Sequence, residues 1–183
     1  NQSVFVEHSG AGVISGSYGL LTIDASGAWH YAADNDQAAV QQLGQGDTLT
    51  DHFTITSVDG SKHSIDITLS GTNDVPVISQ SSITTGAITE DATSNTVSGV
   101  LIASDVDIGS QLGWSLVSAS GVYGTLALDG TSGQWTYTLD NSRTATQGLA
   151  DGQQVSERFS VLVTDEHGAS ARQDVVISVR GTN

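Results

Sequence analysis

The chain repeats itself. Gly16-Ser17-Tyr18-Gly19-Leu20-Leu21-Thr22-Ile23-Asp24 returns as Gly121-Val122-Tyr123-Gly124-Thr125-Leu126-Ala127-Leu128-Asp129. A glycine-containing turn follows each copy, then an aromatic strand: Trp29-His30-Tyr31 in the first, Trp135-Thr136-Tyr137 in the second. Asp34-Asn35 matches Asp140-Asn141, and Phe53-Thr54-Ile55 matches Phe159-Ser160-Val161. Each copy closes on the same tripeptide, Gly71-Thr72-Asn73 and Gly181-Thr182-Asn183. A unit used twice folds as one module and meets its neighbour at a fixed joint. That joint is Gly71-Thr72-Asn73-Asp74-Val75-Pro76. Pro76, the single proline of the chain, fixes its own backbone angle and drives Val75 towards an extended conformation. Residues 1–74 form the first module, short at its start, and residues 75–183 a second, complete one.

Apolar residues in the repeat step by two. Leu126 and Leu128, then Trp135, Tyr137 and Leu139, then Phe159, Val161 and Val163, then Val175, Ile177 and Val179 follow this period. Period two in short runs between Gly, Asp-Gly and Ser-Gly turns means half-buried strands. The second module offers strands around Ile83 and over 97–103, 114–119, 124–128, 134–139, 156–164 and 171–179. Helix is nearly absent. Residues 36–43 suit one short helical turn, capped by Asp34, Asn35 or Asp36. Short strands at regular spacing predict an all-β fold: two tandem immunoglobulin-like β-sandwiches.

Modules of this size bury limited apolar surface and call for a staple. The chain has no cysteine, so the staple is not a disulfide. It has 20 acidic and 5 basic residues, a formal charge of -15. That balance disfavours nucleic acid and anionic membrane as partners. No apolar run is long enough to span a bilayer. Without an initiating methionine or a leader, the expectation is a fragment of a longer chain. Clustered carboxylates are the raw material for a divalent-cation site, since calcium takes six to eight oxygens. Asp105-Val106-Asp107 places two carboxylates on one side of an extended chain. Asp165-Glu166-His167-Gly168 reads as a turn after a strand, and Glu90-Asp91 follows a short one.

The motifs resemble bacterial VCBS and cadherin-like repeats, which occur in RTX-type surface adhesins. Those repeats are similar in Tyr-Gly-x-Leu-x-x-Asp, Gly-x-Trp-x-Tyr, Asp-Asn and a terminal Gly-Thr-Asn-Asp-x-Pro. The layout of an early Glu, an Asp-x-Asp pair, a late Asp and an Asn-Asp linker resembles the cadherin repeat. The resemblance implies calcium as the cofactor, with Asn73 and Asp74 as linker ligands. It implies that Asp105, Asp107 and Asp165 face that linker from the following module. Glu90 matches the early glutamate, which serves the junction after its own module, near Asn183. Glu7 stands as its equivalent in the first module. The implied function is a calcium-stiffened extender in a secreted adhesin at the bacterial cell surface. Its partners are neighbouring repeats of the same chain, with surface glycans or other cells reached through other domains. A carbohydrate- or peptide-binding module, or a spacer of a secreted hydrolase, is the alternative.

Catalysis is poorly supported: paired carboxylates could serve a glycosidase, but the acid here gathers at module ends and turns rather than at the mouth of a cleft. No serine sits in a nucleophile elbow. His8, His30, His52, His63 and His167 lack metal-ligand spacing such as His-x-x-x-His. Asp24, Asp34, Asp129 and Asp140 read as turn residues that bond their own backbone. The Trp-x-Tyr pairs read as packing rather than as a sugar-stacking platform, and Trp114 as core of the second module.

Overall fold

The computed structural model describes residues 12–57 and 59–183, and the described residues are all-β apart from two single-turn helices. The chain divides into two compact units. One runs up to Asn73 and includes Val106–Ile108; the other comprises Asp74–Asp105 and Gly109–Asn183.

The first unit contains β1 (Val13–Ser15), β2 (Gly19–Ile23), β3 (Trp29–Ala33), α1 (Ala38–Gln41), β4 (Thr48–Thr56) and β5 (Lys62–Ser70). Strands β1, β2 and β3 form one antiparallel sheet, and β4 with β5 a two-stranded ladder. The second unit contains β6 (Val77–Ile78), β7 (Thr85–Thr89), β8 (Thr96–Val100), β9 (Ala103–Ser104), β10 (Gly113–Leu116), β11 (Gly124–Leu128), β12 (Gln134–Leu139), α2 (Thr144–Gln147), β13 (Gln154–Thr164) and β14 (Ser170–Arg180). One sheet is ordered β10-β13-β14-β7 and the other β11-β12-β8, with β6 paired to β9. The pairings are antiparallel except β14 with β7, which is parallel.

The period-two residues become the core. Leu126, Trp135, Tyr137, Leu139, Phe159, Val161, Val163, Val175, Ile177 and Val179 are buried together, with Trp114 beside them. The same pattern is thinner in the first unit. Leu21, Ile23, Phe53 and Ile55 are buried, but Ile65, Ile67 and Leu69 on β5 are only half-buried. Their counterparts on β14 lie under a strand partner, β7, on the far edge. Among the described residues, β5 pairs with β4 alone.

Several local expectations are corrected, each by what lies beside the residue in the fold. Trp29 is 50 % exposed whereas Trp135 is 1 % exposed. In the second unit β8 pairs along β12 and sets Gly99 opposite Trp135. A Cβ on Gly99 would strike the indole, whose Nε1 donates to the Ile83 carbonyl at 2.8 Å. Among the described residues no strand covers β3 in that way. Ile83 itself is not in a strand: β6 and β7 flank it, and its N–H donates to Val100 at 2.8 Å. The expected strand over 97–103 is two strands, β8 and β9, because the chain leaves the ladder at Leu101, which is buried. The strand expected over 114–119 shortens to β10. The helical turn exists but its N-cap is Gln37, with no side-chain cap. Asp34 instead closes the preceding turn, accepting from Asp36 N at 3.2 Å and Gln37 Nε2 at 3.1 Å.

The repeated glycines answer to close approach. A Cβ on Gly19 would meet the Tyr31 ring and the Ala32 carbonyl; on Gly124 it would meet the Tyr137 ring and the Thr138 carbonyl. Gly71 and Gly181 lie against the loop after each helix, at Leu43-Gly44 and Leu149-Ala150. Their amides donate to Asp47 O at 3.0 Å and Gln153 O at 2.8 Å. Gly-Thr-Asn thus recurs because its first residue must slide beneath that loop. Gly124→Ala should destabilise the second unit by about 1–3 kcal/mol through overpacking, read as a lowered urea midpoint with unchanged slope.

Candidate functional site

The carboxylates sort into three environments. Asp24, Asp129 and Asp140 are turn residues. Asp24 Oδ1 accepts from Ser26 N at 2.8 Å and Ala28 N at 2.9 Å; Asp129 Oδ1 accepts from Ser132 N at 2.7 Å and Thr131 N at 3.0 Å. Asp140 takes the Ser142 hydroxyl at 2.6 Å and Arg143 Nε at 3.1 Å. These bonds favour the ionised form and lower all three pKa values, through the serine hydroxyl of Ser26 first for Asp24, the Ser132 amide first for Asp129 and the Ser142 hydroxyl first for Asp140. Asp59 is held likewise by Ser57 and Ser61. Glu166 ties down a loop, accepting from Gln111 N at 2.8 Å and Ser110 Oγ at 3.2 Å.

The second environment holds two buried acids that stand outside the repeated motifs. Asp51 and Glu157 point inwards, 1 % and 6 % exposed. Asp51 accepts from Ser17 N at 2.6 Å, Tyr18 N at 3.0 Å and Tyr31 Oη at 2.7 Å. Glu157 accepts from Tyr123 N at 3.1 Å and from the Tyr137 hydroxyl. Each pair joins the two sheets of its unit, Tyr31 on β3 to Asp51 on β4 and Tyr137 on β12 to Glu157 on β13. Phe53 and Phe159 pack beside them, with ring centroids 6.0 Å from Tyr31 and 5.7 Å from Tyr137. Burial raises the Asp51 pKa, but the Tyr31 hydroxyl and the amides of Tyr18, Ser17 and Gly19 outweigh it and the net shift is downward. Burial, then the Asp51 bond, pushes Tyr31 up to about 12. The signal was available: Asp51 and Glu157 both stand two residues before the matched phenylalanines, an inward position.

The third environment holds the expected metal ligands, which are divided between the two units. Glu7 lies outside the described residues. Asn73 and Asp107 belong to the first unit; Asp74, Asp105, Asp165 and Glu90 belong to the second. Pairing of Val77 with Ser104 brings Asp105 out of its ladder beside Pro76, close in sequence to Asp74. Asp165 closes the β13–β14 turn, its Oδ1 accepting from His167 N and Ala169 N at 2.9 Å each. Glu90 lies at the other end of β14, its amide donating to Arg180 O at 2.9 Å. The eleven residues of β14 separate the two ends by roughly 35 Å.

At that far end the structure joins Glu90 to the second Gly-Thr-Asn. Glu90 is 1 % exposed. Its Oε1 accepts from Thr182 N at 2.6 Å and Asn183 N at 3.3 Å, and its buried Oε2 has no hydrogen-bond partner. Asn183 Nδ2 donates to Gln147 O at 2.6 Å, and Asn183 O accepts from Asp151 N at 2.5 Å. Asp91 follows with φ of 53°, in the left-handed region. A buried carboxylate oxygen without a donor suits a cation. Among the described residues, no three His, Asp or Glu side chains are gathered to hold a metal unaided.

The profile of a bacterial cadherin-like domain matches residues 73–181, more than half of the chain. No curated protein matches the sequence. Among solved structures, Drosophila N-cadherin repeats EC1-4 are similar over 100% of this chain and 46% of that one, at 14% identity and a TM-score of 0.51. Mouse cadherin-23 EC22-24 is similar over 97% of this chain and 56% of that one, at 17% identity and 0.50. The protocadherin GammaB4 extracellular domain gives 98% and 26%, at 14% and 0.51. At these identities the likeness is one of fold, and the chain spans less than two thirds of each of these structures. It covers about two cadherin-like modules. No helix among the described residues is long and apolar enough to cross a membrane.

The Asp51 shift sets a pH dependence. A carboxylate whose folded pKa lies below the ordinary 3.8 contributes stability that is present above that value and is lost as pH falls through the folded one. Chemical denaturation of the first unit at descending pH should show that loss, and Tyr31→Phe should shrink it by weakening the bonds that hold Asp51 ionised.

Proposed function

The chain belongs to the bacterial cadherin-like domain family, and from that premise we propose that it is a calcium-stiffened extender of a large secreted surface adhesin of the VCBS and RTX type. It serves attachment and biofilm formation rather than catalysis. The observation that carries this reading is Glu90. A buried carboxylate grips the backbone of the closing Gly-Thr-Asn with one oxygen and keeps the other, buried, without a donor. Leaving that oxygen so is costly, and a cation offsets the cost.

Calcium takes more oxygens than one carboxylate supplies. The remaining ligands at Glu90 come from a neighbouring repeat. At the internal joint, Asn73, Asp74, Asp105, Asp107 and Asp165 take the corresponding roles. Binding then spends its free energy on ordering ligands from different segments, which selects one inter-module geometry. Extracellular calcium supports affinities in the millimolar range, as in other extracellular modules.

Calorimetric titration paired with small-angle scattering, in calcium and in chelator, tests the reading. Calcium should bind and lengthen the particle, and Asp105→Ala with Asp107→Ala should abolish the lengthening. At ten times its dissociation constant calcium should add about 1.4 kcal/mol of stability. Glu90→Gln, which keeps an acceptor for Thr182 and Asn183, should remove binding at the far end alone. Unchanged scattering together with no heat of binding at extracellular calcium levels would sink the proposal.

A further inference from the structure

Three of the five basic residues, Arg158, Arg172 and Arg180, lie on β13 and β14. They alternate with the buried Phe159, Val175 and Val179, so all three occupy the outer face of the β10-β13-β14-β7 sheet. The acid that shares this face on these two strands is Asp174, which takes the Ser160 hydroxyl at 2.7 Å and stands 3.6 Å from Arg172. A chain of charge -15 therefore carries one locally cationic face.

Arg180 closes a cavity there of about 320 Å³, at the small end of the usual ligand-site range. The register sets Gln154 on one side of Arg180 and Thr89 on the other. Ser178, Ser94 and Thr96 also line it with hydroxyl-bearing side chains, and Ala87 and Ala92, both exposed, give a small apolar floor, while the Ile88 side chain turns inward to the core. The Arg180 guanidinium makes no hydrogen bond or ion pair among the described residues.

From this geometry we infer that the outer-face cavity binds a carboxylate-bearing pyranose unit of an anionic polysaccharide, a uronate. The guanidinium fork matches a carboxylate in two parallel bonds. The hydroxyls and the Gln154 amide match ring hydroxyls, and Ala87 and Ala92 the C–H face of the ring. An acidic peptide would satisfy the arginine but leave the hydroxyl wall unmatched, and the cavity offers no aromatic or large apolar wall for peptide side chains.

The test uses the whole chain in chelator, so that calcium bridging plays no part and the extender reading stands or falls separately. Amide resonances are followed while trisaccharides rich in glucuronate, galacturonate or mannuronate are added, each against its neutral methyl ester, with pentaglutamate as the acidic peptide. At least one uronate should move the amides of Thr89, Ser94, Ser178 and Arg180 saturably. Arg180→Gln, an exposed change, should weaken that binding about tenfold, and the methyl ester should bind no better than the variant does. The inference is overturned if no uronate moves these amides, if Arg180→Gln binds as well as the parent, or if pentaglutamate moves the same amides equally. Self-association relieved by Arg180→Gln would likewise overturn it, by assigning the face to the acidic surface of a second copy.

Discussion

A buried tyrosine–carboxylate bond fastens each unit between its sheets. Apolar packing alone lets two sheets slide, because dispersion contacts are non-directional. A hydroxyl on β3 or β12 bonded to a carboxylate on β4 or β13 fixes both depth and register. The charge on Asp51 is tolerable because the Ser17 and Tyr18 amides of the Gly-x-Tyr-Gly turn supply the other donors; Glu157 takes a single turn amide, that of Tyr123. That need shapes the turn: its glycines leave room for the acid and the ring, and its amides point inwards. The motif that announces the repeat thus supplies backbone donors to a buried carboxyl group. Asp51 and Glu157 do the same work with side chains of different length.

The same economy governs the module ends. Gly71 and Gly181 pass beneath the loop that follows each short helix, where any side chain would collide with backbone. The Thr-Asn that follows is delivered to a fixed place, and in the second unit Glu90 holds it there through two amides. Held by two amides, these last residues have already lost much of their conformational entropy in the folded unit.

The acidic composition hides a division of labour. Many aspartates close turns on their own backbone, and their depressed pKa values belong to those turns. Two acids are buried as inter-sheet bonds. Only a minority stand at the ends of the strands, where a cation or a neighbour can reach them. Against that background the outer face of β13 and β14 is the exception in sign.

Sequence by itself determined the duplication, the all-β architecture and most of the core. Period-two positions and turn residues are local properties, and each strand carries its own pattern. The turn roles of Asp24, Asp129 and Asp140 were legible for the same reason: a side chain that bonds its own backbone needs no distant partner. Tertiary structure alone decided what depends on neighbours far along the chain. Trp29 and Trp135 share a motif, yet among the described residues only Trp135 has a further strand, β8, across it. Ile83 has a strand-like side chain but lies between strands, since its amide and carbonyl are taken by Val100 and Trp135. The spacing of Asp51 and Glu157 from Phe53 and Phe159 marks them as inward, but only the opposing sheet decides that a tyrosine meets each. Arg158, Arg172 and Arg180 became one face only when an eleven-residue ladder set them in register, because pairing, not sequence spacing, fixes which side chains share a surface.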